Sequence, residues 1–354
     1  MGICCKDDPP KKELKNIRVP NDDYSFIYSV LQALYNLNNF KTFILNDESK
    51  NENEIKMGKS LKDIFTEDIN EDLIHSSKII YYRIKNYYNN SIEPYPEIIL
   101  IKILELLNQE QKRKNNIDVI TNLVNIQNKI NSTNQYEEKE FYNYLKLYAT
   151  NKNCNKIGEY FCIFFQKRIS NYFQTNFAYE HKYVFELNLF DIFNKKSNVG
   201  TLSFNNSQMP ELNLKECIME NSSPTISNYN FNQCMEQKFI YSTSAYLIFI
   251  LNRRGNENCY YYGDFKYSNI IDLSSVILRK DKSNIYKLSS IIKEKRYLFT
   301  NSNNLSKTEY DFNYITINVD NTGSFYYYNN NKIISKMFKQ NGYFDHILIF
   351  KQNK

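Results

Sequence analysis

The spacing of hydrophobic positions changes along this chain. Apolar residues at Phe26, Val30, Leu31, Leu34 and Leu37 recur at the three-and-four interval of a helix face. Asp22 or Asp23 stands where a side chain could cap such a helix. The same interval returns over Glu97 to Leu107 (Ile98, Ile99, Leu100, Ile103, Leu104, Leu107) and again around Tyr142 to Tyr148. The short apolar stretch Tyr160 to Phe165 reads as one more helix. Asn46 to Glu71 is charged and poorly periodic, with Gly58 its single glycine, and no element is predicted there. After about residue 180 the period shortens toward two. Tyr183 to Leu189 alternates like a strand, and Ala245 to Leu251 is a continuous run of aromatic and β-branched residues expected of a buried one. Further strands are predicted at Tyr286 to Ile292, Asn313 to Val319, Ser324 to Tyr328 and His346 to Phe350. Helices first and strands afterwards make an α+β chain.

At 354 residues and 42% hydrophobic content the chain can bury one large core or two smaller ones. Its eight glycines are few and unclustered, so no phosphate-cradling loop is present and no nucleotide or other cofactor is expected. The net charge of +6 is mild and the basic residues are interspersed with acidic ones, which argues against a nucleic-acid partner. Seven cysteines at irregular spacing (Cys4, Cys5, Cys154, Cys162, Cys217, Cys234, Cys259) include no Cys-x-x-Cys pair. That pattern predicts free thiols in a reducing cytoplasm and no structural zinc. No cluster of His, Cys, Asp or Glu has metal-ligand spacing. No apolar run of membrane-spanning length and no signal-peptide stretch occurs.

Residues 1–18 read as a charged tail broken by Pro9-Pro10. Gly2 offers a myristoylation site and Cys4 and Cys5 offer palmitoylation sites, although Lys6 stands where the usual pattern wants Ser or Thr. Two acyl chains would anchor the protein to a membrane, whereas one alone binds marginally. An unmodified tail is the alternative.

The run Asp22-Asp23-Tyr24-Ser25-Phe26-Ile27-Tyr28-Ser29-Val30-Leu31-Gln32-Ala33-Leu34 resembles the cysteine box of the ubiquitin-specific proteases, where Gly-Asn-Thr-Cys-Tyr leads into Asn-Ser-Val-Leu-Gln-Ala-Leu. Other segments are similar to that family in the same order. Glu159-Tyr160-Phe161 resembles its Asp-Ala-x-Glu-Phe helix, Leu214 to Ile218 its Ser-Leu-x-x-Cys-Leu segment, and Leu247 to Arg253 its Leu-Ile-Ile-x-Leu-x-Arg strand. Ile271-Asp272-Leu273, Tyr286 to Ile292, Phe325 to Asn330 and Gly342 to Phe350 continue the series. The resemblance implies a papain-like hand: a domain over 19–354, with a mainly helical thumb (19–175) and a mainly β palm and fingers (176–354).

The same resemblance implies where a catalytic triad would lie, and this chain departs from it. The nucleophile position is Ser25 in place of cysteine, and the base position is Asn313 in place of histidine; the orienting position, Asn329, fits. A carboxamide has no basic nitrogen to take the nucleophile's proton. The oxyanion position falls on Pro20, which lacks both a side-chain donor and a backbone N–H. In serine-protease templates, losing nucleophile or base alone lowers turnover on the order of a million-fold. Tyr24 and Phe312 replace smaller residues beside the expected channel, with Tyr314 next to it, and are expected to fill it in part. Of the three histidines, His346 falls in a predicted strand, His75 in a helix-like stretch and His181 in a loop-to-strand stretch. Structural roles are expected for all three, with a Ser25–histidine dyad as the alternative.

Three functions fit. The first is an inactive ubiquitin-specific-protease-like protein that binds ubiquitin, a ubiquitin-like protein or another partner. The second is a hydrolase acting through Ser25 and a relocated base. The third is a membrane-tethered adaptor that no longer binds ubiquitin.

Overall fold

A computed structural model of the chain describes residues 24–46, 57–66, 72–89, 92–115, 156–170, 175–197, 211–229, 232–255, 260–278, 284–300, 308–319, 325–329, 332–335 and 343–353. Its helices come first: α1 (Ser25–Tyr35), α2 (Asn38–Leu45), α3 (Met57–Thr66), α4 (Asp72–Tyr87), α5 (Pro96–Asn115) and α6 (Lys156–Phe161). Every residue of α1 from Ser25 to Leu34 is buried, so this helix runs through the interior and not along the surface. Each buried aliphatic side chain of that kind contributes about 1.5–3 kcal/mol. The expected apolar positions Phe26, Val30, Leu31, Leu34 and Leu37 all lie in the core they share with α2–α6.

The strands come after them: β1 (Ile163–Ser170), β2 (Thr175–Lys182), β3 (Phe185–Asn188), β4 (Leu212–Asn213), β5 (Thr225–Tyr229), β6 (Asn232–Ser242), β7 (Tyr246–Asn252), β8 (Phe265–Lys266), β9 (Ile270–Asp272), β10 (Ile285–Thr300), β11 (Thr308–Val319), β12 (Phe325–Asn329), β13 (Lys332–Ser335) and β14 (Tyr343–Gln352). Two further helices, α7 (Leu189–Ser197) and α8 (Leu214–Asn221), sit among them. The large sheet has the order β13-β12-β11-β10-β14-β7-β3, with β9 paired to β10. A four-stranded sheet, β2-β1-β6-β5, stands apart from it in pairing.

The large sheet separates two cores. Along β7 and β14, Tyr246, Ile248, Ile250, Ile347 and Ile349 face α1–α6, while Leu247, Phe249, Leu251, Leu348 and Phe350 face α7 and α8. Covering both faces explains why these strands are apolar throughout and do not alternate. α8 starts on a built cap: the Asn213 side chain accepts from the Glu216 N–H at 2.9 Å.

The structure corrects several expectations. α1 begins at Ser25 with Tyr24 at its cap position and no capping side chain; Asp22 and Asp23 lie outside the described residues. The stretch Tyr160 to Phe165 is not one helix, because α6 ends at Phe161 and β1 begins at Ile163; a short apolar run carries no period long enough to separate the two states. Strands thus begin at Ile163, ahead of the change of period at about residue 180. The stretch Asn46 to Glu71 contains α3, which buries Met57, Leu61, Ile64 and Phe65. Its first amides are capped from another helix: Glu110 of α5 accepts from the N–H groups of Met57 and Gly58, a carboxylate at a helix N-terminus. The strand expected over Tyr183 to Leu189 is confined to Phe185–Asn188, and Leu189 opens α7. Tyr142 to Tyr148 lies outside the described residues.

Candidate functional site

Ser25 is the first residue of α1 and is 3% exposed. Its hydroxyl accepts a hydrogen bond from the backbone N–H of Tyr314 in β11 at 3.2 Å. β12 pairs with β11 at Ile317, Asn318 and Val319. At Tyr314, upstream of those pairs, Ser25 supplies the acceptor that a neighbouring strand would otherwise provide. Two more polar contacts continue along α1. Thr316 donates its hydroxyl to the Ser29 carbonyl at 2.8 Å, and the Asn36 side chain donates to the Ser289 carbonyl at 2.9 Å and to the Ser290 hydroxyl oxygen at 3.2 Å. This seam joins α1 to β10 and β11 entirely through neutral groups.

Asn313 is in β11, opposite Lys295 of β10, and Phe312 is opposite Arg296; both side chains lie outside the described residues. Asn329 ends β12, opposite Lys332 and two residues beyond the Ile317–Tyr327 pair, and its side chain is likewise outside them. Pro20, Gly2, Cys4 and Cys5 fall outside the described residues, as does the side chain of His75. Tyr24 turns toward α4. It shares a hydroxyl–hydroxyl hydrogen bond of 3.0 Å with Tyr82, stacks on Phe26 at 6.1 Å and meets Tyr81 edge-on at 6.0 Å. The Lys78 ammonium lies 4.6 Å from the Tyr24 ring centre.

His346 is buried beside this corner. Its ring centre is 5.8 Å from that of Tyr314, the residue whose N–H binds Ser25. Its Nε2 is 2.6 Å from the Glu97 carboxylate at the start of α5, and its Nδ1 is 3.4 Å from the Glu294 carboxylate on β10. Arg254 adds a second positive charge, 3.5 Å from Glu294, and the Tyr260 hydroxyl donates to the other Glu294 oxygen at 3.1 Å. Burial by itself would lower the imidazole's pKa. The charge of Glu97, then that of Glu294 and the hydrogen bond to Glu97, overcome this and hold it above 6.5, with Arg254 opposing. Burial would likewise raise Glu97, but the charge and hydrogen bond of His346, with a smaller contribution from Arg254, bring it below 4.5. The two carboxylates sit at opposite ring nitrogens and do not converge on a common point. Among the described residues no group of three His, Cys, Asp or Glu is arranged to hold a metal ion.

Among the described residues, then, the hydroxyl of Ser25 meets a backbone amide and no imidazole. His181 lies in β2, its ring 6.5 Å from Phe164 and 6.2 Å from Tyr183. Cys162 is buried, and burial pushes its thiol pKa up, away from a reactive thiolate.

Glu97, Glu294 and Arg254 carry no signal in the sequence. Glu97 comes after Pro96 in the first turn of α5, where an acidic residue needs no further reason. Glu294 and His346 come to the helix-facing side through two irregularities in the β10–β14 register, between Leu288 and Ser290 and between Ile292 and Lys293. Bulges change which residues share a face, so counting by twos from Tyr286 misassigns the positions beyond Leu288.

No protein-family model matches the chain, and no curated protein matches it. Solved structures do. The yeast SAGA DUB module with an Sgf73 variant superposes with a TM-score of 0.62 at 14% identity, covering 99% of this chain and 72% of that one. The SAGA Ubp8/Sgf11/Sus1/Sgf73 DUB module bound to ubiquitin aldehyde gives 0.62 at 13% identity, covering 99% and 73%. Another structure of the SAGA Ubp8/Sgf11/Sus1/Sgf73 DUB module gives 0.60 at 15%, covering 99% and 71%. At such identity the likeness shows the fold: α+β, papain-like, of the ubiquitin-specific-protease type. Among the described residues no helix is long and apolar enough to cross a membrane.

Proposed function

We propose that this chain is a non-catalytic member of the ubiquitin-specific-protease fold, which engages ubiquitin or a ubiquitin-like protein through the surface between thumb, palm and fingers without cleaving it. The observation that carries this reading is the Ser25 hydroxyl, buried and accepting from the Tyr314 N–H, while both nitrogens of His346 face Glu97 and Glu294. A serine needs a base to become a nucleophile. Asn313 at the base position offers a carboxamide, and Pro20 at the oxyanion position offers no donor. The ubiquitin aldehyde bound to the related module supports a ubiquitin-type partner for the fold. Broad protein interfaces do not depend on the few atoms of a triad. Tyr24, Phe312 and Tyr314 would narrow the path to Ser25, so a bound partner's tail would stop short of it. Acylation of Gly2, Cys4 and Cys5, a separate proposal, would hold the domain at a membrane surface.

The test is a pair of measurements on the full chain. Titration with ubiquitin, monitored by calorimetry or NMR, is expected to saturate in the micromolar range, with no hydrolysis of a fluorogenic ubiquitin substrate. Hydrolysis that Ser25→Ala abolishes would turn the reading to an enzyme. Absence of saturable binding at high micromolar ubiquitin would turn it to an adaptor. Ser25→Cys combined with Asn313→His is expected to gain cleavage, since the scaffold would then carry a thiol at a helix N-terminus and an imidazole on β11.

A further inference from the structure

Glu97 on α5, Glu294 on β10 and Arg254 just after β7 gather about His346 of β14; the Tyr314 ring packs on the imidazole, the Tyr260 hydroxyl donates to Glu294, and the Arg254 guanidinium lies over the Tyr95 ring. Beside this group, Lys293 pairs with Asp345 at 2.7 Å. His346 itself is 5% exposed. The decisive point is chemical. Nε2 is hydrogen-bonded to the Glu97 carboxylate and Nδ1 lies 3.4 Å from the Glu294 carboxylate without a hydrogen bond, so a protonated ring turns positive charge toward both. A neutral ring would turn a lone pair toward one carboxylate and leave Glu97 and Glu294 with Arg254 as the remaining cation of the group.

We propose that His346 is a proton-held latch: as imidazolium it fastens the first turn of α5 to β10 and β14, and on losing its proton it lets that turn loosen from the sheet. The latch holds fully from the ordinary carboxylate range up to the ordinary imidazole range. Glu97, with its pKa lowered, contributes stability above about 4.5 that is lost as pH falls through its folded value. His346, with its pKa raised, contributes stability below about 6.5 that is lost as pH rises through its folded value. The grip is therefore strongest between the two and weakens as pH rises through the raised value of His346. Tyr314 packs on the imidazole, and its N–H donates to Ser25 at the first turn of α1.

The experiment tracks the ring carbons of the three histidines by NMR in the full chain, from roughly pH 5 to pH 9, with hydrogen exchange at the Ile99 and Leu100 amides. The Ile99 N–H bonds to the Tyr95 carbonyl at the entry to α5, so it reports the first turn directly. His346 is expected to titrate above 6.5, and exchange protection there to fall by up to about tenfold for each pH unit between about 6.5 and its midpoint and to level off beyond it, after correction for base catalysis. Glu97→Gln should move that midpoint down; a merely structural contact would change protection at every pH equally. A His346 ring that is already neutral at pH 6, or protection that stays flat across its titration, overturns the proposal. The wild-type titration decides it even where a variant fails to fold.

Discussion

Two seams fasten helices to the same sheet, and they use opposite means. Along α1, Ser25, Ser29 and Asn36 meet Tyr314, Thr316, Ser289 and Ser290 through single neutral hydrogen bonds. At the start of α5, Glu97 meets the sheet through an imidazole, a second carboxylate and a guanidinium. A neutral bond is a local matter of about 0.5–1.5 kcal/mol and indifferent to pH. A buried ionic group stands or falls as a unit, because each charge depends on the others to offset its lost hydration. The corner around Ser25 is the neutral one, and the charge lies beyond Tyr314 from it.

The largest effect is expected from breaking the ionic seam. Glu294→Ala removes one of two carboxylates and the acceptor that the Tyr260 hydroxyl uses, and leaves buried His346 and part-exposed Arg254 to share part-exposed Glu97. Removing one partner of such a group costs about 3–5 kcal/mol. Urea unfolding near pH 6 measures it. A loss below about 1 kcal/mol would mean that water reaches the cluster, and the contrast between the seams would collapse.

Ser25→Ala comes next. It leaves the Tyr314 N–H facing a methyl group in a buried position, which costs about 1–3 kcal/mol. Ser25→Cys keeps a weak acceptor and should cost less. The loss should be the same at pH 6 and pH 8, since no ionisable group takes part in that bond. A loss that grows with pH would show that the neutral seam leans on the charged one through Tyr314.

The two seams were also unequally legible in the sequence. α1 declared itself through Phe26, Val30, Leu31 and Leu34, because a helix that shares one core with its neighbours keeps its apolar spacing intact. β7 and β14 showed as apolar runs because both faces of the sheet are covered. Ser25 stood out only against a family pattern; its bond to Tyr314 spans 289 positions, and no local rule reaches that far. The His346 group was hidden for a different reason. Its members come from the first turn of α5, the interiors of β10 and β14 and the chain just after β7, and register shifts beside Glu294 and His346 break the alternation that would have marked them as inward-facing. α3 was missed because its period is short and its N-terminal cap, Glu110, comes from a distant helix.

The smallest effect should come from a charge pair that neither seam uses. Lys266 and Glu211 are 2.6 Å apart, closer than Arg254 is to Glu294, yet their side chains are 71% and 39% exposed. If proximity of opposite charges set the strength of the ionic seam, Lys266→Ala would rival Glu294→Ala. Water already solvates both partners at the surface, so removing one leaves no stranded charge, and the change should stay within about 0–1 kcal/mol and shrink further in added salt. Urea unfolding of Lys266→Ala at low and high ionic strength tests this. A cost above about 2 kcal/mol would show that charge and not burial distinguishes the two seams, and the latch at His346 would lose its physical basis along with it.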